Sequence, residues 1–211
     1  ISEGVSNDFL KSFFEGFNYV RKHELIVGIM LLDMFAVLFG GAVSILPAFV
    51  KEVLNAGPET LGILRAAPAA GAVLTGLYLA RRPLLEDSGK HLFLSVGGFG
   101  IAIIAFGLSS NLWLCAFFLF ISGCCDSISV VIRGSIMQLT TPDQMRGRIS
   151  AINGIFIGSS NELGALESGI AASLMGLVPS ILFGGAATIL VVLLTYQLAP
   201  QLRKLNLKDL T

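Results

Sequence analysis

Long apolar segments separated by short polar loops occupy most of the chain, which has 211 residues. A helix needs about 20 apolar residues to cross the hydrocarbon core of a bilayer, and six segments reach or approach this length. Turn-forming residues, such as Gly57-Pro58 and Pro142-Asp143, follow several of them. The pattern therefore predicts six membrane spans, at residues 25–50, 61–80, 92–108, 112–139, 149–177 and 181–198.

The residues before the first span show an amphipathic pattern instead. Within residues 6–23, apolar side chains fall on one helical stripe and polar side chains on the opposite side. The apolar stripe consists of Phe9, Leu10, Phe13, Phe14, Phe17 and Val20. Such a stripe predicts a helix that lies in the membrane interface. The alternative is a helix packed on a soluble partner.

The composition also favours a bilayer. Charged residues make up 13% of the chain and hydrophobic residues 54%, whereas a soluble domain carries about 25% charged residues. The net charge of +0 argues against a nucleic-acid partner. The three cysteines show neither a disulfide framework nor a metal-ligand spacing, and the sequence indicates no cofactor. The chain starts without a signal-peptide pattern, so we expect no signal peptide. It also starts without an initiator Met, so we expect either a fragment or a chain whose first residues are missing here.

The distribution of basic residues predicts the orientation. If the first helix lies on the cytoplasmic side, the loops facing that side are basic and the opposite loops contribute only Lys51. The cytoplasmic set is then Lys11, Arg21, Lys22, Arg81, Arg82, Lys90, Arg146, Arg148, Arg203, Lys204 and Lys208. By the positive-inside rule, both termini face the cytoplasm. The loop arginines among them are expected to hold the orientation and to contact helix ends; they are Arg81, Arg82, Arg146 and Arg148.

The ionisable residues inside the spans repeat in order. The first two spans of each triplet hold such residues, and the third span holds none. In chain order they are Asp33, Arg65, Asp126, Arg133, Glu162 and Glu167. Two successive triplets of spans start on opposite sides of the membrane. The sequence therefore predicts two inverted three-helix repeats, from which transporters are often built, with the site at the repeat interface.

Three stretches of sequence carry a resemblance to a known family. They are LLDMFAVLFGGAVSILPAFVKEVL, GILRAAPAAGAVLTGLYLARRP and LTTPDQMRGRISAINGIFIGSSNELGALESG. With them the chain resembles the C-terminal six-span half of a major facilitator superfamily transporter, and more closely the efflux branch that includes the enterobactin exporters. The third stretch is the most specific, because PDQMRGR and SNELGxxESG occur together. The resemblance covers nearly the whole chain.

The resemblance and the apolar pattern together predict an all-α integral membrane protein of the bacterial inner membrane. Its parts are a cytoplasmic amphipathic linker helix at 1–23, a six-span half-bundle at 24–200 and a basic cytoplasmic tail at 201–211. A complete member of this family has a second half, which this chain lacks. Alternating access is the rocking of one half against the other. The resemblance therefore implies that the missing N-terminal half, or a second copy of this chain, joins it.

Charged groups inside a span cost a few kcal/mol on insertion scales, so they usually mark a pathway, a proton relay or a buried pair. Counted from the span ends, Asp33 and Arg133 lie at a similar shallow depth on the cytoplasmic side. Arg65 and Glu167 both lie in the outer half. We therefore predict that Asp33 pairs with Arg133, and Arg65 with Glu167, as structural or gating pairs.

Asp126 and Glu162 lie nearest the midplane, which makes them candidates for proton coupling or for binding a cationic group of the substrate. Asp33 and Asn161 are further candidates for this pathway. On the same helix as Glu162, the small residues Gly158, Ala165 and Gly169 share its face, which predicts close packing there and a buried Glu162. The alternative for each polar residue is a satisfied hydrogen bond between helices, with no role in transport.

The sequence thus predicts half of a secondary active exporter, driven by protons, for small amphiphilic molecules such as siderophores or drugs. A non-transporting six-span scaffold or partner subunit is one alternative, and a homodimeric half-transporter is another. Charges on four of the six spans favour the transporter, because a scaffold gains little from them. The loops are too short to hold a catalytic constellation, so we do not expect an enzyme.

Overall fold

The computed structural model describes residues 15–209, and the regular structure within this range is helical. This part of the chain is therefore all-α, as predicted. In chain order the helices are α1 (15–22), α2 (Glu24–Phe39), α3 (Leu46–Glu52), α4 (Pro58–Arg81), α5 (Ser88–Gly107), α6 (Leu112–Thr140), α7 (Arg146–Met175), α8 (Leu177–Leu198) and α9 (Pro200–Arg203).

Local sequence explains where several helices begin and end. Asn111 caps α6, because its side-chain oxygen accepts hydrogen bonds from the amides of Trp113 and Leu114 at 2.9 and 3.3 Å. Pro58 stands in the first turn of α4, where its missing N–H costs nothing. Gly176 separates α7 from α8 with a φ of 90°, a conformation that glycine adopts without strain.

Four of the described helices, namely α4, α5, α6 and α8, are long and apolar enough to cross a membrane. The predicted first span is divided. Its first part, α2, has 16 residues, and a short 3-10 turn at Gly41–Val43 separates it from α3. The predicted fifth span corresponds to α7, which has 30 residues but carries glutamates and many small or polar residues. Length and composition therefore identify a multi-pass membrane protein, and the six-span count stays a prediction.

The helices pack in an order that differs from their order in the chain. α4 packs along α6, which also packs against α5. α5 contacts α8, and α8 contacts both α2 and α7, which also pack against each other. Glycines allow the closest of these approaches: a Cβ atom at Gly71 would collide with the carbonyl of Phe120, and one at Gly123 with the carbonyl of Pro68.

Two apolar clusters fill the two ends of the bundle. One joins α1, α2, α5, α6, α7 and α8, and it includes Ile26, Leu92 and Ile136. We call this the terminal end, because both terminal segments of the described chain lie there. The other cluster surrounds Phe49 and Phe106, whose ring centroids are 4.6 Å apart. Large apolar side chains cover the outside, as expected of a surface that faces lipid.

The amphipathic helix lies on the terminal end of the bundle. Its predicted stripe begins at Phe9, and residues 6–14 lie outside the described residues. In α1, Val20 is buried in the apolar cluster, whereas Phe17 is 39% exposed. The hydroxyl of Tyr19 donates to the carbonyl of Thr140 at 3.0 Å. The described part of this helix is therefore anchored to the bundle itself.

The segment predicted as a basic tail is also docked. Leu202 and Leu207 are buried. The amide of Gly89 donates to the carbonyl of Leu205 at 2.9 Å, and the hydroxyl of Ser88 accepts from the amide of Leu207 at 3.2 Å. The leucines of this segment thus anchor it beside the α4–α5 loop, while Lys204 and Lys208 are exposed and the guanidinium of Arg203 lies 5.0 Å from the centroid of the Tyr196 ring.

Candidate functional site

An ion pair joins α2 to α6 inside the bundle. The guanidinium of Arg133 contacts the carboxylate of Asp33, and their side chains are 11% and 12% exposed. The Nε atom of Arg133 also donates to the carbonyl of Ser129, one turn earlier, at 3.2 Å. This is the pairing that depth along the spans predicts. The functional role of the pair stays a prediction.

A cavity of ≈ 140 Å³ borders this pair. Its walls come from α2, α6 and α7, with Met30, Met137 and Asn153 beside the two charged residues. About 10–15 Å³ is sufficient to admit a water molecule when polar partners are present. The cavity is therefore large enough for water to reach the pair, and the Asn153 amide adds a neutral polar group to its wall.

A second, smaller cavity of ≈ 30 Å³ lies on the other side of Asp33. Asp126 and Ser129 of α6 line it together with Asp33 and with Phe99 of α5. Asp126 itself is exposed, and among residues 15–209 no ion pair involves it. The structure thus brings two of the predicted pathway acids to the same cavity, with only one of them paired to a cation.

The face of α7 that carries Glu162 is open. Glu162 and Asn161 are both exposed, so the prediction that Glu162 is buried is wrong for the described chain. A Cβ atom built at Gly154, Gly158 or Gly169 meets no atom of the described residues within 4 Å. The small residues of this face therefore do not serve packing within the chain, and the face is available to another molecule.

A different glycine brings α7 close to α2. A Cβ atom at Gly164 would lie 3.0 Å from the carbonyl oxygens of Val37 and Leu38. Gly184 of α8 similarly faces the carbonyl of Phe39. α7 and α8 therefore both pack closely against the end of α2, where the first predicted span is interrupted. Sequence reasoning missed both positions, because nothing in the spacing of the glycines distinguishes them from the glycines on the open face.

The structure does not bring Arg65 and Glu167 together. Arg65 is exposed on α4, which packs against α6, whereas Glu167 is half-buried on α7, which packs against α2 and α8. No ion pair joins the two among the described residues. The hydroxyl of Ser168 lies 3.5 Å from the Glu167 carboxylate, at the limit of a hydrogen bond. The second predicted pair is therefore absent from this arrangement of helices.

The loop arginines are at the surface. Arg146 pairs with Asp143 at 2.9 Å, and Arg148 pairs with Glu15 of α1 at 2.5 Å. Arg148 thereby ties the amphipathic helix to the start of α7. Arg81 and Arg82 end α4 and are exposed.

Comparison with known proteins gives a match over nearly the whole chain. The family model described as "Transmembrane secretion effector", within the major facilitator superfamily, matches residues 2–211. The uncharacterized MFS-type transporter YvqJ of Bacillus subtilis is 29% identical over 177 residues, which are 83% of this chain and 42% of that protein. No solved structure gives a significant match.

Enterobactin exporters are similar as well. Enterobactin exporter EntS of Citrobacter koseri is 27% identical over 195 residues, or 92% of this chain and 47% of that protein. The Escherichia coli protein of the same name is 28% identical over 143 residues, or 68% of this chain and 34% of that protein. The chain therefore spans less than half the length of these curated relatives.

Proposed function

We propose that this chain is the C-terminal half of a secondary active exporter. The premise is that the chain belongs to the transmembrane secretion effector family of the major facilitator superfamily. In this proposal α2 and α3 together make the first of six spans, and α7 makes the fifth. The missing N-terminal half, or a second copy of the chain, completes the transporter. The membrane is the bacterial inner membrane, with both termini in the cytoplasm.

The contacts between helices support two inverted repeats. The repeat hypothesis exchanges α2 with α6, α4 with α7, and α5 with α8. Under this exchange the α4–α6 contact becomes the α7–α2 contact, and the α5–α6 contact becomes the α8–α2 contact. The α5–α8 contact maps onto itself. The exchange therefore relates these three contacts to contacts that are present, whereas the α7–α8 contact has no counterpart of similar extent between α4 and α5.

The observation that carries the proposal is the position of the Asp33–Arg133 pair. It joins α2 to α6, the two helices that the exchange relates, so under the repeat hypothesis it would lie where the repeats meet. Transporters place their sites at such an interface. Cavities on both sides of Asp33 give it access to water and to Asp126.

Proton coupling follows from this geometry as a hypothesis. A proton that binds to Asp33 neutralises its carboxylate and leaves the Arg133 guanidinium without its anion. The pair would then open, and α2 would be free to move relative to α6. Asp126 and Glu162, which are exposed and unpaired among the described residues, are proposed to bind a proton or a cationic group of the substrate. Asn161 beside Glu162 would contribute a hydrogen bond to that substrate.

The proposed substrates are small amphiphilic molecules such as siderophores or drugs. The enterobactin exporters among the relatives support this class. The open face of α7 supports a path between this half and a second one, because Glu162 and several glycines lie there without being packed within the described chain.

The test uses the complete transporter that contains this half, reconstituted into liposomes with an imposed pH gradient. We expect Asp33→Asn to abolish substrate movement driven by the gradient while exchange at equal pH continues. Asp126→Asn and Glu162→Gln are expected to reduce driven transport. Asp143→Asn is the matched control, because Asp143 is an acid of the surface loop and is expected to leave transport unchanged. Normal driven transport in all three span variants would refute the assignment.

A further inference from the structure

A long groove runs between α2 and α8 on the outside of the bundle. Its volume is ≈ 1100 Å³, at or above the upper end of the range of about 300–1,000 Å³ for pockets that hold small molecules. Phe39 and Phe183 lie at one end, and Arg21, Glu24 and Gln201 lie at the other. The groove follows the whole of α2, whose 16 residues correspond to about 24 Å.

The groove is separate from the ion pair described above. Gly28, Leu31 and Phe35 of α2 line it, and their spacing places them on one side of that helix. Asp33 lies two positions after Leu31, which is about 200° around a helix of 3.6 residues per turn. Its carboxylate therefore points toward α6, away from the groove. A ligand in the groove would therefore not contact Asp33 or Arg133, neither of which lines it.

The walls of the groove suit an acyl chain. α8 contains no charged residue over its 22 residues, and Leu190, Leu194 and Leu198 along the groove are exposed, the last by 81%. One leaflet of a bilayer has a hydrocarbon thickness of about 15 Å, half of the whole core. The groove is therefore longer than one leaflet is thick. A lipid whose headgroup lies at the polar end of the groove can keep its whole acyl chain against these side chains.

The polar end of the groove carries one charge of each sign. Arg21 lies near the end of α1 and Glu24 begins α2, and both line the groove. The Glu24 carboxylate accepts a hydrogen bond from the side-chain amide of Gln201 at 3.2 Å, which fixes it at the groove mouth. A guanidinium binds phosphate well and a carboxylate binds an ammonium group. This pair of charges complements a headgroup that has both, whereas a purely anionic headgroup would be repelled by Glu24.

We propose that this groove is a binding site for phosphatidylethanolamine. An acyl chain lies between α2 and α8, the phosphate contacts Arg21, and the ammonium group contacts Glu24. The site is independent of the proposed export function, since it uses a different side of α2. Its occupant would hold α1, α2 and the docked segment that includes Gln201 together at the terminal end of the bundle.

The test measures lipid binding to the full purified chain by native mass spectrometry. The probes are phosphatidylethanolamine and phosphatidylglycerol with identical acyl chains. We expect the ethanolamine lipid to bind about tenfold more tightly, the factor that one charge-assisted hydrogen bond supplies. Glu24→Gln is expected to remove this preference. Arg21→Gln is expected to weaken the binding of both lipids, because both carry the phosphate. Lys22→Gln is the matched control, because Lys22 is exposed and does not line the groove.

Two further variants test the groove itself. Gly28→Leu and Ala186→Phe add bulk from opposite walls and are expected to weaken binding of both lipids. A Cβ atom at Gly28 meets only the end of the Leu202 side chain, at 3.8 Å, and Ala186 is exposed, so both proteins should fold with a thermal stability near that of the wild type. Equal binding of the two lipids by the wild type would overturn the headgroup assignment. Undiminished binding by both filling variants would overturn the site.

Discussion

Replacing Arg133 by Met is expected to destabilise the protein strongly. The substitution removes the guanidinium and leaves the Asp33 carboxylate, only 12% exposed, without its cation. Loss of one partner of a buried ion pair costs about 3–5 kcal/mol. The cavity beside the pair admits water, which lowers the cost of the remaining charge. We therefore expect a loss at the lower end, about 3 kcal/mol in the free energy of unfolding.

A variant of the other partner, Asp33, and the double variant complete a double-mutant cycle. Asp33→Leu leaves Arg133 unpaired and is expected to cost a similar amount. When both are replaced, the charges of the pair are gone, and apolar substitutes of similar size for a buried pair are often neutral. The double variant Asp33→Leu with Arg133→Met is therefore expected to lie within about 1 kcal/mol of the wild type. The coupling between the two sites measures their interaction.

The free energy of unfolding is measured by denaturant titration in mixed micelles, with helix content by circular dichroism as the signal. The control is the surface pair of Asp143 and Arg146, whose removal should change stability by about 0.5 kcal/mol or less. If Arg133→Met costs no more than this control, water solvates the pair fully and the reasoning is refuted. A double variant that is as unstable as the sum of the single variants would show that the two residues are not coupled.

Three further outcomes follow from the structure. Gly123→Val should destabilise the protein by about 1–3 kcal/mol through overpacking against the α4 backbone. Gly134→Val on the same helix should be close to neutral, because a Cβ atom there meets none of the described atoms. Thermal unfolding in detergent measures both effects. Leu207→Ala should cost about 2–3 kcal/mol through the cavity it leaves, and faster limited proteolysis of the terminal segment would detect the loosening. The hydrogen bond from the Lys90 ammonium, and then its charge, lower the pKa of Asp87 below the ordinary 3.8, so the stabilising contribution of this acid is present above pH 3.8 and is lost as the pH falls through its lowered pKa. An NMR titration should therefore show a higher pKa for Asp87 in Lys90→Gln than in the wild type.

Hydropathy predicts where the helices lie but is insensitive to interruptions made of small residues. The predicted spans fall on described helices, because each apolar run is long enough to give a high mean hydropathy over the length of a membrane span. The first run continues through Gly40 and Gly41, which count as apolar. The structure nevertheless ends α2 there and restarts a helix before Pro47. The backbone at this point is closely surrounded by Gly164, Gly184, Phe99 and Ser168, and these contacts between helices are not visible in the hydropathy pattern.

Depth along a span is readable from sequence, but the neighbours of a helix are not. Asp33 and Arg133 have similar depth, and α2 and α6 also meet, so they pair. The same reasoning matches Arg65 with Glu167, yet α4 and α7 lie on different sides of the bundle. Choosing between the two cases requires the packing order of the helices, which arises from many weak contacts over the whole bundle rather than from any local pattern.

The open glycine face of α7 has a consequence for how this sequence tolerates mutation. Bulkier residues at Gly154, Gly158 or Gly169 meet no described atom of the chain, so a saturation library screened only for folding of this half should accept them. The same library screened for growth that depends on the complete transporter should reject them if another molecule packs on that face. The difference between the two fitness maps would then trace the footprint of that molecule on α7, position by position.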